Sequence, residues 1–207
     1  MRNHEDFKIR DGIRFDSVTT SLGIIRKPSL EEWRGNVGNK MADETLKTAG
    51  IFGDEIHEYV NMINNGNGYE IDIKKLEPRK AFLVSWFKDW FFENVQEVIY
   101  SEKEVFSEKH RYFGHLDSIY LLKNKKKPDI IDIKTGSILD KSVRWQTSAY
   151  LEAAKEDLDI NIDNRIIIWL PRKNKKCQAI YLDKSTHEID FLGFIHAKES
   201  YKIWNQK

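Results

Sequence analysis

Three polar residues stand where strand-like stretches should be apolar. Asp117 interrupts YFGHLDSIYLL, and Asp132 and Lys134 flank Ile133 in IIDIKTG. Side chains alternate along a strand, so Asp132 and Lys134 share one face. The KNKKK segment reads as a hairpin turn between the two stretches, which lets Asp117 and Asp132 approach across the ladder. A carboxylate in such surroundings is costly unless it is paired or bound to a metal. Two convergent carboxylates make a hard oxygen site suited to Mg²⁺ or Mn²⁺. A lysine beside them can orient a water or offset charge developing on a phosphate. The three together fit metal-assisted phosphodiester hydrolysis. The competing reading is a buried Asp–Lys salt bridge that only ties strands together, and a lone D-x-K does not decide between them.

Further residues bear on the choice. His57, in GDEIHEYV, falls on a predicted helix after Gly53; a neutral imidazole can complete a His-Asp-Asp metal shell. Gln146 and Tyr150, in RWQTSAY, are four apart and so on one helical face, at the edge of a stripe of Val143, Ala149 and Ala153. Gln146 can position the lysine or a phosphate, and Tyr150 can bond a backbone phosphate. Thr135 and Gly136 form a turn whose N–H groups can face a phosphate. Arg144 is a candidate phosphate contact. Thr19, Thr20 and Ser21 are expected to cap a helix that receives a strand terminus. The basic tracts at 123–127 and 172–176 lie in predicted turns and read first as solvated loops.

The elements that must position these groups are legible in outline. FKIRDGIRFD alternates about Asp11-Gly12, a two-residue hairpin signal. Pro28 followed by SLEEW starts a helix. A helical stretch runs from Lys40 to about Asn64, expected to break near Gly50 and Gly53, and stops at NNGNG. A long helix is predicted from Pro78 to Asn94, its Phe82, Leu83, Trp86, Phe87, Trp90 and Phe91 forming a buried stripe. Strands follow in VIYSEKEVF, YFGHLDSIYLL and PDIIDIK. Then come the helix SVRWQTSAYLEAAKE, the strands RIIIWL and CQAIYL, and a helix from about Thr186 to Trp204. The order implies a mixed α/β fold with a central sheet flanked by helices. One domain is expected over 1–207, with an N-terminal hairpin and helices in 1–65 and the core in 78–207.

Composition narrows the field. The 207 residues are 40% hydrophobic and 12% aromatic, as expected of a globular chain. With 34 basic and 33 acidic residues, bulk charge names no partner, so any polyanion site must come from local clustering. The one cysteine, Cys177, excludes an internal disulfide, a four-cysteine zinc site and a cysteine-ligated iron–sulfur cluster. The longest apolar run, Ile166 to Leu170, is far short of the roughly 20 residues that span a bilayer. The charged start MRNHEDFKIRDG lacks a signal core. A cytoplasmic protein of a bacterial or phage-infected cell, without membrane partners, is expected.

The ordered set G-x-x-x-H (Gly53 to His57), G-x-x-D (Gly114 to Asp117), D-I-K-T-G (Asp132 to Gly136) and Q-x-x-x-Y (Gln146 to Tyr150) resembles the RecB-like branch of the PD-(D/E)XK nucleases. YSEKEVF, with Glu102, looks like the strand preceding G-x-x-D in that branch. SVTT followed by P-x-L-x-x-W is similar to small phage exonucleases and to the mitochondrial genome maintenance exonuclease. The resemblance spans Ser17 to about Ala154. It implies a restriction-endonuclease-like core, with His57, Asp117, Asp132 and the Ile133 carbonyl as ligands of one or two Mg²⁺ or Mn²⁺ ions. It implies Lys134 as the catalytic lysine, Gln146 and Tyr150 as supporting residues that contact DNA, and Glu102 as an outer residue. The chain departs from the family at Asp54, where threonine is frequent; this acid is expected to face water.

The activity implied is that of a DNA exonuclease on single-stranded or end-processed DNA, in recombination, repair or replication. The alternatives are a structure-specific endonuclease and a non-catalytic DNA-binding or assembly module on the same fold. DNA is the expected partner, with recombination or replication proteins beside it. The residues carry no signal of oligomeric state.

Overall fold

The computed structural model describes residues 5–173 and 175–205. The hairpin forms as its sequence dictates: β1 (Phe7–Arg10) and β2 (Ile13–Ser17) are joined by Asp11 and Gly12, with φ of 52° and 75°. Positive φ at both central residues is what a tight hairpin turn with the correct twist requires. After β2 come the short α1 (Val18–Ser21), α2 (Pro28–Val37) and α3 (Asn39–Asn64). The rest of the chain supplies α4 (Pro78–Asn94), β3 (Val95–Ser107), β4 (Tyr112–Leu122), β5 (Asp129–Lys134), α5 (Ser142–Leu158), β6 (Asn164–Trp169), β7 (Gln178–Tyr181) and α6 (His187–Trp204). Among the described residues, no helix is long and apolar enough to cross a membrane.

The expected break in α3 does not occur. The helix runs unbroken through Gly50 and Gly53 for 26 residues. A glycine in a helix interior costs about 1 kcal/mol. Phe52, Ile56, Val60 and Ile63 recur on one face and are all buried, each contributing about 1.5–3 kcal/mol. Burial therefore outweighs propensity. The stripe on α4 is also rotated from its expected position. Leu83, Val84, Phe87 and Trp90 are buried, whereas Phe82 is half exposed beneath the Arg79 guanidinium. Pro78 opens this helix, and the Glu77 carboxylate accepts from the N–H groups of Arg79 and Lys80.

The seven strands form one mixed sheet in the order β1-β2-β4-β5-β6-β7, with β3 along the other edge of β4. This central mixed sheet flanked by helices is consistent with a restriction-endonuclease-like core. α3 and α4 cover one face, over Tyr120, Ile131, Ile133, Ile166 and Ile168. Helices α1, α5 and α6 cover the other, over Tyr112, Leu116, Ile119 and Ile130.

One topological detail positions everything below. β2 pairs in parallel with β4 at Tyr112 and Phe113, whereas β5 pairs antiparallel with it at Ser118 to Tyr120. The same edge of β4 is thus shared by two strands that diverge. Residues Gly114 to Asp117 lie in the fork between them.

Candidate metal centre

Asp117 sits at the root of the fork, almost fully buried. Its Oδ2 accepts from the Ile133 N–H at 2.6 Å, which ties β5 to β4 beyond the last ladder pair. Its Oδ1 lies 3.5 Å from His57 Nδ1. The pleat of β4 slips here. Leu116 and Ile119 both pack in the α5–α6 layer, while Ser118 and Tyr120 hydrogen-bond Asn64 of α3. Strict alternation cannot place residues three apart on one face. Alternation from Tyr112 and Leu116 points Asp117 toward the imidazole on α3, and the slip that follows keeps Ser118 on that side as well.

His57 comes from α3, one helical turn after Gly53. A Cβ at Gly53 would lie 3.0 Å from Thr135 Oγ1, so the glycine lets the helix settle against the turn after β5. Glu102 stands opposite Asp117 on β3, between the pairs Ser101↔Ser118 and Lys103↔Leu116. Its φ of 51° is in the left-handed region, which costs a non-glycine residue about 1–3 kcal/mol and needs support from its surroundings. His57, Glu102 and Asp117 can each offer a ligand atom lying within 4.8 Å of the other two. An imidazole nitrogen and two carboxylate oxygens, one of them buried, are a donor set that fits a divalent cation.

Asp132 is fully buried on β5, and Lys134 Nζ lies 2.7 and 2.9 Å from its two oxygens. Extending the β4–β5 register past Ser118↔Ile131 sets Asp132 opposite Asp117. From the other layer, α5 contributes Gln146, whose Nε2 donates to the Tyr150 hydroxyl at 2.9 Å. A Cβ at Gly114 would stand 2.4 Å from Tyr150 Cε1. Only glycine there lets the ring cross the fork. The spacings G-x-x-x-H and G-x-x-D thus each record a close approach between layers.

These groups line one cleft of about 470 Å³. Its wall carries the carboxylates of Glu5, Asp54, Glu102, Asp117 and Asp132 against the ammonium groups of Lys8 and Lys134, with His57 and His115 beside them. Lys8 bonds Glu104 at 2.5 Å and Glu5 at 3.2 Å, and His115 Nε2 meets Glu104 at 3.0 Å. The hydrogen bond to Glu104 raises the Lys8 ammonium above its ordinary pKa.

The expected site residues fall into two groups. His57, Glu102, Asp117, Asp132, Lys134, Thr135, Gln146, Tyr150 and Thr19 all line the cleft. Glu102, expected as an outer residue, stands among the potential ligands. Asp54, expected to face water, is half-buried on the cleft wall. Ile133 contributes its N–H to Asp117, and the Gly136 carbonyl accepts from Trp169 Nε1 at 2.7 Å. Thr20 is turned toward Asp6, 3.1 Å away. Both threonines lie inside the four-residue α1 rather than capping it; its cap is Ser17, whose hydroxyl meets that of Thr19 at 3.1 Å rather than a helix N–H. Arg144 points away from the cleft and holds Asp190 of α6, Nη2 to Oδ1 at 3.0 Å. No sequence signal marks Glu5, Lys8 and His115; the first two reach the wall because the hairpin joins the same sheet as β4, and His115 because it lies on β4 beside the fork.

The chain is similar to a solved structure of the protein SSO0001, at a TM-score of 0.48 and 15% identity over 98% of this chain and 79% of that one. It is also similar to a candidate exonuclease from Eubacterium rectale, at a TM-score of 0.42 and 8% identity over 72% of this chain and 68% of that one. No protein-family model matches the chain, and no curated protein matches its sequence.

Proposed function

We propose that this chain is a Mg²⁺- or Mn²⁺-dependent deoxyribonuclease that hydrolyses phosphodiester bonds from free DNA ends. The observation that supports this reading is the meeting in one cleft of His57, Glu102 and Asp117 with the Asp132–Lys134 pair. A bare salt bridge between strands would need neither the imidazole nor the second and third acids. His57, Glu102 and Asp117 would hold the ion, with Asp132 and the Ile133 carbonyl as further oxygen donors. A divalent ion there supplies Lewis acidity toward the phosphate and cancels carboxylate charge that would repel a polyanion.

The chain's own groups supply the rest. Asp132 fixes the Lys134 ammonium at the cleft wall, where it can donate to an attacking water or to a phosphoryl oxygen. The Tyr150 hydroxyl accepts from Gln146 at the cleft wall, where it can meet a phosphate oxygen. A time course on end-labelled linear and circular DNA, with Mg²⁺, Mn²⁺ or Ca²⁺, tests the reading. Loss of linear substrate in Mn²⁺, absent from Asp132→Ala and Lys134→Ala, is expected. Full activity in either variant, or in excess EDTA, overturns it. Cutting of circles identifies an endonuclease, and binding without cleavage a non-catalytic module.

A further inference from the structure

A second depression of about 1610 Å³ adjoins the cleft and shares Ala49 and Thr135 with it. That volume exceeds the roughly 300–1,000 Å³ of a small-molecule pocket and suits a polymer. Its walls are apolar. Helix α2 has no buried residue and presents Leu30 and Trp33 to the groove. Across from it, Ile189 and Leu192 of α6 line the other wall, 65% and 48% exposed. Trp145 of α5 also lines the groove and lies against Gly193 of α6, where a Cβ would stand 2.5 Å from the indole Cε2.

The charges on the rim are one-sided. Arg26, Lys27, Lys141, Arg144, Arg172 and Lys173 face only Asp140 and Asp190. Arg26 is engaged by Glu31 and Arg144 by Asp190. The other four cations make no ion pair among the described residues. In a chain whose net charge is +1, this is local clustering. Two half-buried indoles in an apolar trough whose lining also carries cations complement a polymer that exposes flat rings and carries phosphates. A duplex hides its rings, and an acidic peptide brings no row of them.

We propose that this groove binds an unpaired nucleic-acid strand beside the cleft, with Trp33 and Trp145 stacking on bases and Lys27, Lys141, Arg172 and Lys173 meeting phosphates. The proposal deepens the nuclease reading of the adjoining cleft and rests on it for the fate of the bound strand. It makes an unpaired end, rather than a blunt duplex, the substrate that reaches Lys134.

The test measures fluorescence anisotropy of labelled oligo(dT) and of a blunt duplex of equal length, with the full chain in EDTA so that nothing is cut. Oligo(dT) is expected to bind at least about tenfold more tightly than the duplex. Trp33→Ala is expected to weaken oligo(dT) about five- to 150-fold, the range of one lost base stack. Because no residue of α2 is fully buried and Trp33 is only half-buried, circular dichroism of that variant should match wild type. Lys141→Ala combined with Lys173→Ala should reduce the salt slope of binding by about 1.4, or 0.7 per phosphate contact on a single strand. Binding by Trp33→Ala within twofold of wild type overturns the proposal, as does equal affinity for the duplex. So does a change in sedimenting mass in Trp33→Ala, which would mean that a second copy covers the groove. Hydrolysis of bis(p-nitrophenyl) phosphate in Mn²⁺ reports on the cleft alone. If this small diester is not cut while Trp33→Ala still weakens oligo(dT), the nuclease reading fails and the groove stands. The reverse pattern removes the groove and leaves the nuclease.

Discussion

The cleft and the groove share two wall residues and carry opposite chemistry. The cleft is small and lined by five carboxylates against two lysines; the groove is more than three times larger, apolar, and rimmed by six cations against two acids. An acidic pocket alone repels a phosphate, and a basic apolar trough alone holds a strand without cutting it. Placed edge to edge, they separate holding from chemistry, and the acidic half becomes compatible with a phosphodiester once a divalent cation neutralises it. A third ionic cluster shows what a structural network looks like in the same molecule. Asp190 accepts from Arg165 at 2.9 Å, from Arg144 and from Thr186 at 2.9 Å, deep between β6, α5 and α6. There, two guanidiniums meet one carboxylate and no acid is in excess.

The largest effect expected at the cleft is Lys134→Ala, which should lower Mn²⁺-dependent hydrolysis by about 10²–10⁴, the range for a positioned proton-transfer or charge-offsetting group. Oligo(dT) binding in EDTA should stay within twofold. If both fall together, the division of labour between the two depressions is wrong. Asp117→Asn keeps the acceptor for the Ile133 N–H while removing charge beside His57. It is expected to weaken Mn²⁺ binding, read by electron paramagnetic resonance, by tenfold or more.

Next in size is the clasp behind the centre. Asn64 lies two helical turns beyond His57 on α3. Its Nδ2 donates to Ser101 Oγ at 2.9 Å and Ser118 Oγ at 3.0 Å, while its Oδ1 accepts from the Tyr120 hydroxyl at 2.5 Å. Ser101 and Ser118 are the chain neighbours of Glu102 and Asp117, so Asn64 sets the distance from the helix carrying His57 to both acids. Asn64→Leu should weaken Mn²⁺ about tenfold and leave oligo(dT) binding unchanged. Tyr120→Phe removes one bond of the clasp but not its hold on the serines, so Mn²⁺ affinity should stay within twofold although both variants lose stability. Equal metal affinity in all three proteins would reduce Asn64 to a packing role.

How much of this was legible from residues alone follows the length scale of the signal. Asp117, Asp132 and Lys134 were visible because each breaks a two-residue alternation, and Gln146 with Tyr150 because they are one helical turn apart. The hairpin, the start of α4 at Pro78 and the order of elements were visible for the same local reasons. Glu102 was hard to weigh, since an acid in SEKEV looks like any solvent-facing strand residue, and neither its φ of 51° nor its partner across the ladder is written in the segment. The unbroken α3 was hidden because a glycine's cost is local while the burial that overrides it is tertiary. The groove was invisible, since its walls come from α2, α3, the turn after β5, α5, the β6–β7 connection and α6. The tract at 172–176, read as a solvated loop, contributes Arg172 and Lys173 to that wall; Asn174 within it lies outside the described residues. The tract at 123–127 sits at the β4–β5 turn, where Lys125 bonds Asp129 and Asp163.

The smallest expected effect sharpens the comparison most, because it separates a cation on the groove wall from one available to a strand. Arg144 was expected from the sequence to meet a phosphate, and it does line the groove. Its guanidinium is nevertheless held by Asp190 through two nitrogens, at 3.0 and 3.3 Å. Its side chain is 43% exposed, so solvent screens that end of the pair, and the buried Asp190 keeps Arg165 and Thr186 if Arg144 is removed. Arg144→Ala should therefore change thermal stability by less than about 1 kcal/mol. It should also change the salt slope of oligo(dT) binding by clearly less than the roughly 0.7 that one phosphate contact contributes. A full 0.7 drop would mean that a strand draws Arg144 off Asp190, moving the boundary between structural and strand-facing charge onto α5, two residues from Gln146 in the cleft.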